Sequence, residues 1–307
     1  MDIDQVHHVG HVVHHMDAAV GLYRRMGFAV SPPEFPVLPA GDGAPVRVLG
    51  AGNAHVTFRR NFVELVTVLD GAEPGVDAVL VPLEVPPTLV RRVVETVAAT
   101  TARLSAALAR FEGLHILVLQ TPDADATAAR LAAVGVPNAG VTRMRRPGAG
   151  DAVVPIGFVE IDGSQGRTPE GRLAVAEALP DTGPDHPNGA LSLEGPVLCV
   201  PDAELAGFER RYATMLGRAA RADGPVRLFD LDEGRVTLVP DSALDTVLPG
   251  ERAPALPAFV AFVVRVRDLA ATRTLLERNA LPVRATPSGA VFVPAAAALG
   301  CAVVFRA

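Results

Sequence analysis

One pattern repeats four times along this chain of 307 residues, and it constrains the fold more than any other feature. Each copy begins with a strand-like segment, continues with an amphipathic helix and ends with further strand-like segments. The copies occupy residues 6–68, 114–162, 192–240 and 259–306. Because one helix on one half-exposed sheet leaves an apolar face open, each copy needs a partner. The sequence therefore predicts an α+β fold of four βαβββ units paired into two modules.

Local signals mark where these elements begin and end. In the first copy, "MDAAVGLYRRMGF" predicts a helix with Asp17 near its start and Gly27 as its stop. In the second copy, either Thr121 or Asp123 can cap the helix. Segments such as "FVELVTV" and "VVPIGFVEI" are rich in β-branched and aromatic residues, which is typical of strands.

Residues 86–112 lie outside the repeat and predict a long helix. Apolar residues recur along it at helical spacing, at Val90, Val93, Val94, Val97, Leu104 and Leu108. Such a stripe must be covered. The helix therefore packs either on the sheets or on a second copy of the chain, in which case the protein is a homodimer.

A polar segment rich in glycine and proline, residues 163–190, follows the second copy and predicts a link with a short helix. It divides the chain into an N-terminal domain (1–165), a link (166–190) and a C-terminal domain (191–307). The long helix is then an insertion within the N-terminal domain.

Composition excludes several classes of partner. The formal charge is −6, the pI is about 5.8 and no long basic run occurs, which argues against nucleic acid or an anionic membrane as a partner. The start of the chain is polar, and no apolar stretch reaches the roughly twenty residues of a membrane span. The two cysteines lie far apart in apolar runs, which is typical of reduced thiols. We expect a cytoplasmic protein whose partner is a small-molecule substrate.

Histidines cluster at the start of the chain, where five of the eight fall between residues 7 and 15. Side chains alternate along a strand, so His8 shares one face with Gly10 and Val12. His7 and His11 share the other face, and only one of these sets can point into a given cavity. The last two histidines of the cluster follow the strand and are expected in solvent, at His14 and His15.

Three other titratable residues interrupt apolar strands in the first two copies. They are Glu64 in "NFVELV", His115 in "GLHILV" and Glu160 in "IGFVEID". Burying such groups is costly without a partner, although a structural role explains any one of them alone. Together with His8 they form a His2Glu2 set, which suits a divalent ion of Fe, Mn, Ni, Co or Zn.

The sequence resembles the vicinal oxygen chelate superfamily. The resemblance is carried by the paired βαβββ units, the opening "HHVGHVV", the helix "DAAVGLYRRMGF" and the strand "FVELV". Residues 50–66, "GAGNAHVTFRRNFVELV", are similar to glyoxalase-like members, in which a Gly-x-x-Asn turn leads into a strand and then into an aromatic-x-Glu-Leu strand. The resemblance implies four metal ligands, at His8, Glu64, His115 and Glu160.

The resemblance also implies a type of chemistry. The metal would chelate two neighbouring oxygens of the substrate, and a glyoxalase-like or epimerase-like proton transfer, isomerisation or lyase step would follow. Glu160 or Glu64 would act as the general base. His55 alternates in phase with Thr57, so it either supports this cleft or serves packing.

Two other functions stay open. An Fe(II)-dependent dioxygenase would use His8, His115 and Glu160, and it would keep Glu64 off the metal to leave room for O2. A binding protein of this fold would instead hold a small molecule, such as an antibiotic, without chemistry.

The second half of the chain lacks this ligand pattern. Ala261 falls near the place of His8, and the final strand "CAVVFRA" has no carboxylate. We expect a metal-free structural half, a lid or a dimer surface there. His186 in "DHPNG" indicates a turn. A small basic patch follows in "VTRMRRP", with Arg143, Arg145 and Arg146. It indicates either a solvated strand face or a site for a carboxylate or phosphate.

Overall fold

The computed structural model describes residues 2–38, 47–69, 73–75, 77–83, 85–147, 153–161, 168–177 and 183–307. The helices are α1 Met16–Arg25, α2 Val90–Arg110, α3 Ala124–Ala133, α4 Leu205–Leu216, α5 Leu244–Val247 and α6 Leu269–Arg278. The strands of the first two copies are β1 Gln5–Val13, β2 Glu34–Leu38, β3 Arg47–Val48, β4 Ala51–Thr57, β5 Phe62–Val68, β6 Val79–Pro82, β7 Gly113–Thr121, β8 Asn138–Pro147, β9 Val153–Ile161 and β10 Arg172–Glu177. Those of the last two copies are β11 Ala190–Val200, β12 Arg221–Asp223, β13 Val226–Asp230, β14 Arg235–Pro240, β15 Ala258–Val266, β16 Arg284–Ala285, β17 Val291–Val293 and β18 Ala302–Arg306.

Strands of the first two copies form one half of a large sheet. Their order is β6-β2-β4-β5-β1-β7-β10-β9-β8, and β3 also pairs with β2. The first strand of each copy lies parallel to the last strand of the same copy, in the pairs β1–β5 and β7–β10. The two copies meet through the antiparallel pair β1–β7 at the centre.

Strands of the last two copies repeat this arrangement in the order β12-β13-β14-β11-β15-β18-β17-β16. Among the described residues, the pair of Leu114 on β7 with Phe259 on β15 and an isolated bridge between Gln5 and Glu233 connect the two halves. Helices and strands are mixed throughout, so the predicted α+β class is confirmed.

Helix termini follow the chemistry of their sequences. The carboxylate of Asp123 accepts a hydrogen bond from the Ala126 backbone N–H at 2.9 Å, so Asp123 rather than Thr121 caps α3. Gly27 stops the turn after α1 with a φ of +84°, in the left-handed region that glycine tolerates.

The main core lies on the face of the sheet that carries the helices. It joins both halves of the chain, because Val9 and Tyr23 from the first half share it with Tyr212, Phe259 and Phe305 from the second. Helix α2 is separate from this core and lies over the opposite face of the N-terminal half, where Leu104 is its buried side chain. The long helix predicted within 86–112 is confirmed as Val90–Arg110, and Leu104 and Leu108 of its apolar stripe pack on the sheet.

The two halves differ on that opposite face. In the C-terminal half the face is filled by an apolar cluster that contains Cys199, Val260, Ala261 and Phe292, and Leu244 of α5 packs on it. In the N-terminal half a smaller cluster of Val12, Val66, Leu104, Ile116, Val118, Phe158, Ala174 and Ala176 shares the face with polar side chains.

One expectation about the link was wrong. The sequence predicted a short helix within 163–190, but Arg172–Glu177 forms β10, which pairs with β7 and β9 inside the N-terminal half. The composition of "RLAVAE" suits a helix, and strand pairing overrides that preference. None of the described helices is both long enough and apolar enough to cross a membrane.

Candidate functional site

Strand register brings the predicted residues onto one face of the N-terminal sheet. Gly10 pairs with Glu64 on β5 and with Ile116 on β7. Ile116 in turn pairs with Arg172 on β10. Since residues paired across strands point to the same side, these four form one row across the sheet.

A neighbouring row contains His8 and Glu160. His8 pairs with Phe62 and with Val118, and Val118 pairs with Ala174. Ala174 pairs with Glu160 on β9. The predicted ligands from β1, β5 and β9 therefore share this face, which we call the cleft face.

Gly10 occupies the centre of the cleft face, between Glu64 and Ile116. A Cβ atom at this position would lie 2.7 Å from the Ile116 side chain, which is too close for any larger residue. The glycine of "HHVGHVV" thus allows the Ile116 side chain to lie directly over the β1 backbone in the row that contains Glu64.

The Glu64 side chain is only 18% exposed, and its neighbours hold it in a defined position. Asn53 Nδ2 donates a hydrogen bond to Glu64 Oε1 at 3.0 Å. His8 Nε2 lies 3.9 Å from Oε2, and His55 Nε2 lies 4.0 Å from Oε1. One carboxylate oxygen is therefore engaged by an amide, while the other faces His8.

The ring of His8 is oriented by its neighbours. It stacks on Phe62 with 4.4 Å between ring centres, and its Nδ1 lies 2.7 Å from His7 Nδ1. One of these two nitrogens carries the shared proton. The contact directs His8 Nε2 toward Glu64.

Glu160 is bound to an arginine. Arg172 Nε and Nη2 donate to its two carboxylate oxygens at 2.7 and 2.9 Å, in a bidentate pair. Burial disfavours the charge of Arg172, but Glu160 and the more distant Glu64 outweigh that effect and raise its pKa. The guanidinium is the cation shared by the two carboxylates of the cleft face.

His115 is a buried, neutral imidazole. Its Nε2–H donates to the Phe111 carbonyl oxygen at 2.8 Å, which leaves the lone pair on Nδ1. Burial lowers the pKa of His115 to about 4, opposed by the Phe111 bond and assisted by the positive charge of Arg110.

The predicted ligands are not arranged as a metal centre. Within the described ranges, no three imidazole, carboxylate or thiol groups lie close enough together to hold a metal ion. His8 and Glu64 approach each other, but Glu160 is engaged by Arg172 and His115 by the Phe111 carbonyl. As arranged, the four residues do not fit one ion, and their role as ligands stays a prediction.

The other histidines have separate environments. His11 is fully buried and bonds both the Tyr23 hydroxyl and the Leu299 carbonyl, whereas His14 and His15 are exposed, as expected. His186 lies at the predicted turn but is also buried, where it accepts the Ala29 N–H and donates to the Thr57 carbonyl.

Of the predicted arginine patch, only the Arg143 side chain lies within the described part of the chain. It pairs with Asp125 and with Glu177, which agrees with a solvated strand face. The side chains of Arg145 and Arg146 lie outside the described residues.

Sequence reasoning missed two residues of the site. Asn53 belongs to the quoted Gly-x-x-Asn turn, yet its bond to Glu64 became visible only when β4 and β5 were paired. Arg172 was missed because its segment was assigned to the link. The alternation of Arg172, Ala174 and Ala176 on one side of a strand is the signal that could have found it.

Comparison with protein families identifies the class to which this fold belongs. The family model described as "Glyoxalase-like domain" matches residues 6–216. The chain therefore belongs to the glyoxalase-like domain family, and the resemblance to the vicinal oxygen chelate superfamily is confirmed. No curated protein sequence matches this chain.

Solved structures share the fold at low sequence identity. A hypothetical protein from Staphylococcus aureus has a TM-score of 0.58 at 10% identity, with 99% of both chains covered. A Mn(II)-bound glyoxalase from Novosphingobium aromaticivorans has a TM-score of 0.55 at 10% identity, covering 99% of this chain and 82% of that one. A mutant of 4-hydroxymandelate synthase from Streptomyces coelicolor has a TM-score of 0.54 at 15% identity, covering 94% and 78%.

Proposed function

We propose that this protein is a glyoxalase-type enzyme that moves a proton on a small substrate with two neighbouring oxygens, in the cleft of its N-terminal half. The observation that carries the proposal is the position of Glu64. Its carboxylate lies on the cleft face, oriented by Asn53 and flanked by His8 and His55.

Glu64 has the features of a general base. Asn53 keeps one carboxylate oxygen in place, and the other faces His8 Nε2 at 3.9 Å. A positioned carboxylate can accept a proton from a C–H bond next to a carbonyl group. His8 Nε2 lies close enough to Glu64 to assist the transfer after a small shift.

Glu160 is the second proton carrier in this proposal. It lies in the neighbouring row of the cleft face and is held by Arg172. Two carboxylates on one face suit an isomerisation or lyase reaction, because one takes a proton and the other returns it at a different atom. Arg172 can stabilise the negative charge that forms on a substrate oxygen.

Proton abstraction is tested by exchange with heavy water. We would incubate the protein with a set of 2-oxo and 2-hydroxy acids and of thiol adducts of 2-oxoaldehydes, and follow loss of the C–H signal by NMR. Glu64→Gln keeps the bond to Asn53 and should slow exchange by at least about a hundredfold. Glu204→Gln, at an exposed site on the other half, is the matched control. Exchange at the wild-type rate in the Glu64 variant would refute the proposal.

The metal prediction is tested separately. A divalent Fe, Mn, Ni, Co or Zn ion at His8, Glu64, His115 and Glu160 requires Glu160 to exchange Arg172 for the ion. Plasma mass spectrometry on untagged protein should then find about one metal per chain, lost in His8→Ala, His115→Ala and Glu160→Ala. No metal after reconstitution with all five ions would refute this prediction.

The dioxygenase alternative makes a different prediction. Protein loaded with Fe(II) would consume O2 in the presence of substrate, whereas proton transfer consumes none. Tight binding of a small molecule without exchange or O2 consumption would identify a binding protein.

A further inference from the structure

A pocket of about 550 Å³ lies between α2 and the cleft face. This volume is within the range of sites for small molecules. Val12 of β1, Leu104 of α2 and Ile116 of β7 form its apolar surface. The pocket shares Ile116 and Arg172 with the row that contains Glu64, and Arg172 also bonds Glu160, so the pocket lies beside the proposed catalytic residues.

The pocket is positively charged. Three arginines line it, and its described lining residues include no Asp or Glu. Arg172 of β10 is paired with Glu160, so the positive charge comes from Arg103 and Arg110 of α2. Arg103 and Arg110 are seven residues apart, which places them on the same side of the helix, two turns from each other. His115, the remaining titratable residue of the lining, is neutral because its pKa is about 4.

Arg110 is fixed in place without losing its charge. Its guanidinium donates to the backbone carbonyl oxygens of Pro169 and Pro257. Carbonyl groups orient a cation but do not neutralise it. Arg110 is therefore a preorganised positive charge at the edge of an apolar pocket.

The wall of the pocket opposite α2 is formed by a tight turn. Thr168 and Gly171 close a tight turn through two backbone hydrogen bonds. Gly171 has a φ of +145°, and a Cβ atom there would lie 2.2 Å from the His115 carbonyl oxygen. The turn can approach β7 only with glycine, and this approach gives the pocket its shape on the side opposite α2.

From this lining we infer that the pocket binds an organic anion, a small carboxylic acid with an apolar body. The carboxylate would lie between Arg103 and Arg110, and the apolar body would lie on Leu104 and Ile116. This inference names the substrate class of the proposed function and rests on it. A carboxylate suits the pocket better than a phosphate, because the lining between the arginines is mainly apolar and offers few further hydrogen-bond donors.

Calorimetric titration with matched probes tests the inference. The probes are benzoate, 3-phenylpropionate and 5-phenylvalerate, each beside its neutral amide, with inorganic phosphate as the other anion. At least one acid should bind about tenfold or more tightly than its amide. Binding should also weaken as salt concentration rises.

Variants locate the binding. Arg103→Gln and Arg110→Gln should each weaken binding of the acid by about tenfold. Arg91→Gln is the matched control, because Arg91 lies on the same helix outside the pocket, 90% exposed and paired with Glu95. Since Arg103 is exposed, its variant should fold normally.

Four results would overturn the inference: equal binding of acid and amide, no binding of any acid, wild-type affinity in both arginine variants, or stronger binding of phosphate than of every acid. Glu64→Gln separates this inference from the proposed function. It should keep acid binding while proton exchange is lost. Acid binding without exchange in the wild type refutes only the function, and exchange without acid binding refutes only the inference.

Discussion

Glu64 shows how single residues acquire a chemical role from their neighbours. A carboxylate in an apolar strand is unfavourable unless its oxygens are bonded. Asn53 supplies one bond, and the other oxygen faces His8 Nε2. On β1, His11 has an unrelated structural role, although it lies only three residues from His8. Alternation along the strand separates His8 from His11, whereas an irregularity of register before His8 leaves His7 in contact with His8.

At the residue scale, His186 should make the free energy of unfolding depend on pH. Burial lowers its pKa, and the Thr57 bond opposes that shift. The unfolded chain binds this proton more readily, so the free energy of unfolding should fall as pH drops below about 6.5, by at most about 1.4 kcal/mol per pH unit. Urea unfolding between pH 5 and pH 8 measures the slope.

The matched variants for this prediction are His186→Gln and His15→Gln. The first removes the buried imidazole and should reduce the slope, while His11 and His115, whose pKa values burial also lowers, keep the rest of the pH dependence. The second changes an exposed residue and should leave the pH dependence unchanged. Identical slopes in all three proteins would show that His186 is not the group responsible.

Among the elements, α2 matters most for the site, because it forms one wall of the pocket. Most of its side chains are exposed or partly exposed, and Leu104 is its buried anchor. A helix held by so few buried residues opens more easily than the strands beneath it.

Leu104→Ala should therefore loosen α2 selectively. Loss of the buried side chain costs about 2 kcal/mol, which predicts roughly thirtyfold faster hydrogen exchange of the α2 amides. Exchange in β1 should change little. Leu89→Ala, at a position 46% exposed in the turn before α2, is the control. Equal effects of the two substitutions would contradict Leu104 as the anchor.

For the whole molecule, the two halves are connected by buried polar contacts as well as by the shared core. The Glu170 carboxylate is fully buried and accepts hydrogen bonds from Arg211 and from the Tyr212 hydroxyl. Burial, with the Glu170 charge, raises the pKa of Tyr212 well above its usual value, so this hydroxyl stays a donor. Asn61 exchanges two hydrogen bonds with the Leu193 backbone.

These contacts predict that both halves unfold together. Tyr212→Phe removes one donor from a buried carboxylate and should lower the free energy of unfolding by about 1–3 kcal/mol, within a single transition. Differential scanning calorimetry measures both quantities. Thr214→Val is the control, since Thr214 is exposed and its hydroxyl donates to the Arg210 carbonyl within α4. A separate transition for the C-terminal half would contradict the prediction.

The sequence by itself determined most of the elements and, where a strand is regular, the face on which its residues lie. Hydrophobic periodicity predicted the four copies, α2 and the shared side of His8 and Gly10, because these depend only on neighbours within a few residues. Tertiary structure decided that β10 belongs to the sheet, that Arg172 pairs with Glu160, and that Asn53 holds Glu64. Each depends on the register between segments distant in the chain, and register is set by the packing of whole sheets.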